Sequence, residues 1–412
     1  MSFTRISVVG LGYIGLPTAA VFAARGKTVI GVDVNRRAVE TINRGGIHIV
    51  EPELDMVVHA AVSGGYLRAT TTPEPADAFL IAVPTPFKDG HEPDLGYIER
   101  ASRAIAPVLK AGNLVVLEST SPVGATEQMA QWLAEGRPDL TFPSTHGEAS
   151  DIRIAHCPER VLPGHVLREL VENDRIIGGL TPKCSAAAVR LYKTFVEGEC
   201  IVTDARTAEM CKLAENSFRD VNIAFANELS IICDKLGIDV WALIRLANHH
   251  PRVNILRPGP GVGGHCIAVD PWFIVSRTPN EARLIRCARE VNDYKPELVV
   301  SKLKAEAAAR DSQQIYCLGA AFKADIDDLR ESPALGIVQR LLDEGFEIKL
   351  VEPNIEEVPA SLRKDRCELV GFDEFLGQGR DALIAVLVPH REFRGSEVLR
   401  SLRPLDFCGA LN

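Results

Sequence analysis

Ile6-Ser7-Val8-Val9-Gly10-Leu11-Gly12-Tyr13-Ile14-Gly15 opens the chain with a short apolar run that passes straight into three glycines. The run reads as a buried strand. The spacing G-x-G-x-x-G reads as the turn that joins it to a helix. Gly10 permits a tight turn, Gly12 lets backbone approach a pyrophosphate, and Gly15 lets helix and strand pack closely. The helix N-terminus that follows favours phosphate charge. A helical stretch from about Leu16 to Ala24 leads to a second strand, Thr28 to Val34. Near its end stands Asp33, 18 residues after Gly15. A carboxylate there can accept hydrogen bonds from an adenosine ribose and would repel a 2′-phosphate. The spacing therefore predicts NAD rather than NADP, with Arg36 and Arg37 close by. The alternative reading is a glycine-rich turn that binds nothing.

Outward from this stretch the strand-then-helix rhythm continues. Ala78 to Val83 and Leu114 to Glu118 are apolar runs bounded by turn residues, and the pattern ends near Ile201-Val202-Thr203. Alternation of this kind predicts a parallel sheet with crossover helices. From Thr207 to Leu246 there is no proline, and apolar residues recur at helical spacing with one break at Gly237. A long helix and a shorter one are expected. Residues 251–271 are rich in Gly and Pro and read as a loop, and another helical stretch runs from about Asn280 to Tyr294. After about residue 310 the α/β rhythm returns with Ile315 to Leu318, a helix from Pro333, Ile348 to Val351 and Leu383 to Val388. The expected fold is α/β: two Rossmann-like doubly wound domains, 1–203 and 301–412, joined by a helical domain over 204–300.

Composition narrows the function. The 412 residues carry 46 Lys+Arg against 55 Asp+Glu, a net charge of −9 that argues against holding nucleic acid or an anionic membrane. Hydrophobic residues at 46% exceed what disordered chains contain. No charge-free apolar run approaches the ~20 residues of a membrane span, and no signal peptide is expected. The ten cysteines are scattered without a Cys-x-x-Cys pair, so neither a disulfide framework nor a zinc site is expected. His249-His250 has no acidic residue or cysteine at metal-ligand spacing, so no metal is expected. The compartment this suggests is the reducing cytoplasm.

The most unusual segment is Pro258-Gly259-Pro260-Gly261-Val262-Gly263-Gly264-His265-Cys266-Ile267-Ala268-Val269-Asp270-Pro271. So many glycines before one cysteine suggest backbone wrapped around a ligand. The thiol is a nucleophile or simply a buried cysteine; Asp270 orients water or caps a turn. On the long helix, Lys212, Asn216 and Arg219 stand at i, i+4 and i+7 and so share one face. That stripe could hold an anionic, hydroxyl-rich substrate, or be a solvated charged face. His250 and Arg252 could contact phosphate or lie on a loop surface.

Together these segments resemble the nucleotide-sugar dehydrogenase family. The resemblance is carried by Val9–Pro17, Val83-Pro84-Thr85-Pro86, Glu118-Ser119-Thr120-Ser121-Pro122-Val123-Gly124 and Cys157-Pro158-Glu159-Arg160. It continues through Glu215–Asn222, Gly263–Pro271 and Asp327–Pro333. The segments Gly264–Phe273 and Asn248–Val253 are nearest to the branch acting on UDP-N-acetyl-D-mannosamine. The resemblance implies oxidation of that sugar at C6 to the uronate with two NAD and one water. It also implies a cytoplasmic homodimer built across the long helix. The product would feed a bacterial surface polysaccharide such as enterobacterial common antigen.

By position, the resemblance makes Cys266 the nucleophile and Lys212 the general acid/base. Asp270 and Asn216 would manage water and substrate oxygens, Glu159 thioester hydrolysis, and Thr120 would lie near the reacting centre. Tyr13, Ile14, Asp33, Thr85, Thr126 and Arg330 match NAD contacts. Arg160, Val161, Arg219, His250, Arg252, Gly263, Phe322 and Lys323 match UDP-sugar contacts, with Lys212 and Asn216. Ala320 and Ala324 depart from the leucine and proline usual in the family, with a small expected effect on loop rigidity. Three competing readings are a 6-dehydrogenase of UDP-glucose or another UDP-hexosamine, a β-hydroxyacid dehydrogenase, which needs no cysteine, and a non-catalytic nucleotide-sugar sensor, which needs neither Cys266 nor Lys212.

Overall fold

The structure is a computed structural model that describes residues 3–49, 51–162, 164–264, 267–362, 365–378 and 382–412. The chain divides into two compact units, Met1–Ala214 and Glu215–Asn412. The division falls inside one continuous helix, Ala205–Leu236. Gly237, in the left-handed region at φ 69°, ends that helix, and the shorter helix Val240–Ala247 follows as expected.

In the first unit eight strands form one sheet: β1 (Arg5–Val9), β2 (Thr28–Val32), β3 (Leu67–Thr70), β4 (Ala78–Ile81), β5 (Leu114–Leu117), β6 (Arg153–His156), β7 (Arg175–Gly179) and β8 (Cys200–Asp204). Their order is β3-β2-β1-β4-β5-β6-β7-β8. The reversal of order between β1 and β4 is a topological switch point, where α/β sheets bind ligands. All pairings are parallel except β6 with β7, which is antiparallel, so the wholly parallel sheet expected from the rhythm is corrected there. The apolar runs bury on both faces, in two clusters. One includes Val8, Leu16, Phe22 and Tyr192, and the other Ile30, Phe79, Val115 and Met129.

The second unit has a five-stranded parallel sheet of β9 (Gln314–Leu318), β10 (Glu347–Val351), β11 (Cys367–Leu369), β12 (Leu383–Val386) and β13 (Leu405–Asp406). Its order, β11-β10-β9-β12-β13, places a switch point between β9 and β12. The stretch read as a loop through residue 271 ends two residues earlier than expected, where the helix Asp270–Arg277 begins. The helix expected to stop near Tyr294 runs from Arg283 to Ala309, with Pro296 inside it. A proline in a helix interior costs about 3 kcal/mol. Burial of Val299, Val300, Leu303 and Ala307 beyond it offsets that cost. Among the described residues no helix is long and apolar enough to cross a membrane.

Candidate active site

The first unit builds its nucleotide turn from the glycines. Gly10 sits at φ 91°, and its N–H donates to Val32 O at 2.8 Å. A Cβ on Gly15 would lie 1.7 Å from the Gly10 carbonyl oxygen, so only glycine fits at that crossing. A Cβ on Gly12 would meet nothing within 4 Å, which leaves the backbone there open to a ligand. Tyr13 is exposed beside it, and Ile14 precedes the helix Gly15–Ala24. Asp33 Oδ2 accepts the Leu11 N–H at 2.9 Å and Oδ1 the Asn35 N–H at 2.8 Å. The carboxylate is thereby fixed at the end of β2 with one edge partly exposed.

The Val83–Pro86 and Glu118–Gly124 motifs follow β4 and β5 and are tied together. Ser119 Oγ donates to Val83 O at 2.7 Å. Thr85 has a buried hydroxyl with no partner among the described residues, an orphan that a ligand would satisfy. Open backbone at Gly12, the orphan at Thr85 and the exposed edge of Asp33 together fit a dinucleotide. Thr120 is partly exposed. Thr126 is fully buried, and its hydroxyl donates to Glu209 at 2.6 Å, so that hydroxyl is not displayed at the surface. Glu209 also accepts the Gly124 N–H at 2.6 Å and the Thr126 N–H at 2.8 Å. It thus caps the helix Ala125–Gly136 and ties it to the long helix, three residues before Lys212. The sequence reading missed Glu209, because its partners lie 83 and 85 residues away.

Beyond β6, Glu159 Oε2 meets Arg175 Nη1 at 2.7 Å in a buried ion pair, and Glu159 Oε1 accepts the Arg160 N–H at 2.8 Å. Arg160 Nη2 donates to Asp174 O at 2.5 Å, and Val161 is partly exposed. Nearby, Tyr192 Oη donates to Glu118 Oε1 at 2.6 Å. Burial pushes the Glu118 carboxyl up to about 7.

In the second unit Asn216 Nδ2 donates to Asp270 Oδ2, both side chains being buried. This brings together two of the expected site residues from the long helix and from the start of the helix Asp270–Arg277. Asp220 pairs with Arg289, and Asn292 and Asn227 extend the network to the Gly259 N–H at 2.8 Å. The glycine-rich loop is thereby anchored to the long helix. Arg219, His250 and Arg252 are exposed, and the structure does not bring them to that network. Arg330 pairs with Asp328 at 2.6 Å. Cys266 lies outside the described residues.

Gly263 and Phe322, both expected substrate contacts, do come together. A Cβ on Gly263 would lie 2.4 Å from Glu331 O and 3.3 Å from Phe322 Cβ, and one on Gly264 3.1 Å from the Phe322 ring. Glycine is required for this close approach. Beside it, at the switch point between β9 and β12, is a cavity of about 580 Å³ lined by Arg257, Gly259, Gly261, Phe322, Lys323 and Arg394 among others. Three cations around open backbone suit a diphosphate. Arg257 and Arg394 were not singled out from the sequence, where each is one arginine in an ordinary loop. Among the described residues no three His, Cys, Asp or Glu side chains gather as a metal site.

A dinucleotide turn in one unit and a cationic cavity in the other, with a glycine-rich loop packed against it, describe a dehydrogenase of nucleotide-linked substrates. The chain belongs to the UDP-glucose/GDP-mannose dehydrogenase family. Residues 4–196 match its NAD binding domain, 206–294 its central domain and 316–405 its UDP binding domain. The protein is accordingly a NAD-dependent oxidoreductase. It is 67% identical over 96% of the chain to an NDP-N-acetyl-D-galactosaminuronic acid dehydrogenase of Ralstonia nicotianae, covering 92% of that protein. It is 66% identical over 98% of the chain to a UDP-N-acetyl-D-mannosamine dehydrogenase of Campylobacter jejuni, covering 99% of it. The solved UDP-D-ManNAc dehydrogenase of Pyrococcus horikoshii superposes with a TM-score of 0.86 at 38% identity, over 99% of this chain and 96% of that one.

Proposed function

We propose that the protein oxidises UDP-N-acetyl-D-mannosamine at C6 to the uronate, a four-electron oxidation that uses two NAD and one water. The observation that carries this reading is the packing of Gly263 and Gly264, three and two residues before Cys266 in the sequence, against Phe322 at the cationic cavity. A dehydrogenase that removes one hydride needs no thiol beside its substrate. The similarity to UDP-N-acetyl-D-mannosamine dehydrogenases along nearly the whole chain supports the sugar. NAD, held by the Gly10–Gly15 turn, Asp33 and Thr85, supplies the hydride acceptor for each oxidation.

The chain's own residues do the rest. Lys212 takes the proton of the C6 hydroxyl as the first hydride leaves, and an aldehyde forms. The Cys266 thiolate adds to the aldehyde carbon, giving a thiohemiacetal that keeps the intermediate bound and presents a second C–H. Loss of that hydride leaves a thioester. Asn216 and Asp270 hold the water that attacks it, releasing the acid and restoring the thiol. Glu159 assists this hydrolysis, and Thr120 lines the reacting centre. Arg160, Val161, Arg219, His250, Arg252, Phe322 and Lys323 hold the UDP-sugar, and Tyr13, Ile14 and Arg330 complete the NAD site, with Thr126 behind it on Glu209.

The catalytic and dimerisation segment is 204–300, between a NAD domain over 1–203 and a UDP-sugar domain over 301–412. Phe218, Phe225 and Leu236 are 71%, 51% and 64% exposed and, with Ile232, form one stripe along the long helix. A second copy of the chain covers that stripe in a homodimer. The enzyme works in the cytoplasm, and its product enters a surface polysaccharide such as enterobacterial common antigen.

A second reading has its own observation: the 67% identity to the Ralstonia N-acetyl-D-galactosaminuronic acid dehydrogenase. The deciding measurement is NADH formed per sugar consumed at limiting UDP-N-acetyl-D-mannosamine. UDP-N-acetyl-D-galactosamine, UDP-N-acetyl-D-glucosamine and UDP-glucose are run in parallel. Two NADH from the first sugar alone is the expected result. Activity only on the galacto sugar leaves the chemistry and replaces the substrate. One NADH per sugar removes the role given to Cys266.

A further inference from the structure

The turn carrying Phe322 and Lys323 is held from beneath by a buried pair. Glu352 follows β10 and His390 follows β12, and both side chains are 0% exposed. Glu352 Oε2 accepts the N–H of Ala320 at 2.7 Å and of Ala321 at 3.1 Å, and lies 3.0 Å from His390 Nε2. Glu352 Oε1 accepts the Asn354 N–H at 3.1 Å. Across the ring, His390 Nδ1 accepts the Asp325 N–H at 3.0 Å, with the Asn354 side-chain amide also 3.1 Å away. A ring that accepts at Nδ1 carries its proton on Nε2 and donates it to Glu352. Burial alone would push the Glu352 carboxyl up; the His390 and backbone hydrogen bonds outweigh it and hold the group below its ordinary value. One imidazole therefore ties down both ends of the turn from Ala320 to Asp325. Asp325 is itself in the left-handed region at φ 64°, a conformation that needs such support.

The first unit contains the same device without the histidine. Gly10 N–H donates to Val32 O and Gly319 N–H to Val351 O, both at 2.8 Å. Asp33-Val34-Asn35 and Glu352-Pro353-Asn354 stand at the ends of the second strands of the two units. Each carboxylate accepts the N–H two residues on; from the preceding turn Asp33 accepts one N–H and Glu352 two. Asp33 keeps a partly exposed edge that a ribose can reach. Glu352 is sealed by His390, with Oε2 on the turn and Oε1 on Asn354.

We propose that His390, acting through Glu352 and the Asp325 amide, is a positioning residue. It sets the Phe322–Lys323 turn and so the affinity of this unit for the diphosphate of a nucleotide sugar. The inference rests on the reading that the cavity lined by Lys323 holds that diphosphate. Without His390, the Asp325 N–H and one Glu352 lone pair lose buried partners and the turn is free to shift.

The test is calorimetric titration of UDP into the full-length protein as wild type, His390→Ala, His390→Gln and Lys323→Ala, with steady-state kinetics on each. His390→Ala is expected to weaken UDP and raise the UDP-sugar KM by about 10- to 100-fold. kcat and the NAD KM should change less than about threefold. His390→Gln, which can still donate to Glu352 or accept from Asp325, should recover most of the loss. Wild-type UDP affinity in His390→Ala, with affinity lost in Lys323→Ala, would overturn the positioning role and leave the cavity standing. Wild-type UDP affinity in Lys323→Ala would instead sink the cavity reading. A parallel fall of kcat, NAD affinity and Tm in the histidine variants would make His390 merely structural and overturn the proposal. Should His390→Ala prove insoluble, His390→Leu, which fills the space but neither donates nor accepts, takes its place, with loss of UDP affinity alone as the supporting result and wild-type affinity as the overturning one.

Discussion

Arg175 reaches Glu159 from the neighbouring strand β7 and holds its carboxylate at 2.7 Å, with the two side chains 3% and 7% exposed. The guanidinium also lies over the rings of Tyr192 and Phe195, at 5.2 and 5.8 Å from their centroids. Glu159 is thus fixed by a cation on one oxygen and by the Arg160 N–H on the other. The turn that carries Arg160 and Val161 takes its shape from this pair.

Removing one partner leaves a buried charge without compensation. Arg175→Met should lower stability by about 3–5 kcal/mol in urea denaturation. The double variant Glu159→Gln/Arg175→Met should recover part of that loss. A single variant costing less than about 1 kcal/mol would mean that water reaches the pair.

Glu118 makes stability depend on pH. Burial raises its carboxyl from the ordinary 4.5 to about 7, so between those values the folded chain holds a proton that the unfolded chain releases. Stability must then fall as pH rises through that window. Glu118→Gln removes the titration. Its stability relative to wild type should rise by about 3 kcal/mol between pH 4 and pH 8. A difference independent of pH would show Glu118 ionised in the folded protein.

The roles of Lys212 and Cys266 separate in single turnovers. Lys212→Ala should lose kcat by about 100-fold or more while NAD affinity changes little. A selective rise in the NAD Kd would make Lys212 a cofactor residue. Cys266→Ser should form no uronate, stopping at or before a covalent intermediate. Normal uronate production by that variant would remove the thiol from the mechanism.

The exposed stripe on the long helix predicts an oligomer. Phe218→Glu/Phe225→Glu should run in light scattering at the monomer mass of 44.9 kDa, with wild type at twice that. Wild type at the monomer mass would leave the stripe uncovered and refute the dimer.

The nucleotide turn was legible in the sequence because its demands are local. Gly10 needs a positive φ, Gly15 cannot hold a Cβ against the Gly10 carbonyl, and Asp33 stands a fixed distance along the next strand. The long helix was legible because apolar spacing and the absence of proline act over neighbouring turns. The helix expected to stop near Tyr294 runs on to Ala309, because the apolar residues after Pro296 find a buried face that outweighs the local penalty of the proline. The reversal of β7 against β6 left no mark in the alternation, since a strand has the same period in either direction. The buried partners were the least visible. Glu159 with Arg175, Glu209 with Thr126 and Glu352 with His390 stand 16, 83 and 38 residues apart. In the sequence each is an ordinary charged or polar residue. Only the packing of strands and helices removes the water around them, and it is that loss of solvent that obliges each buried charge to find its partner.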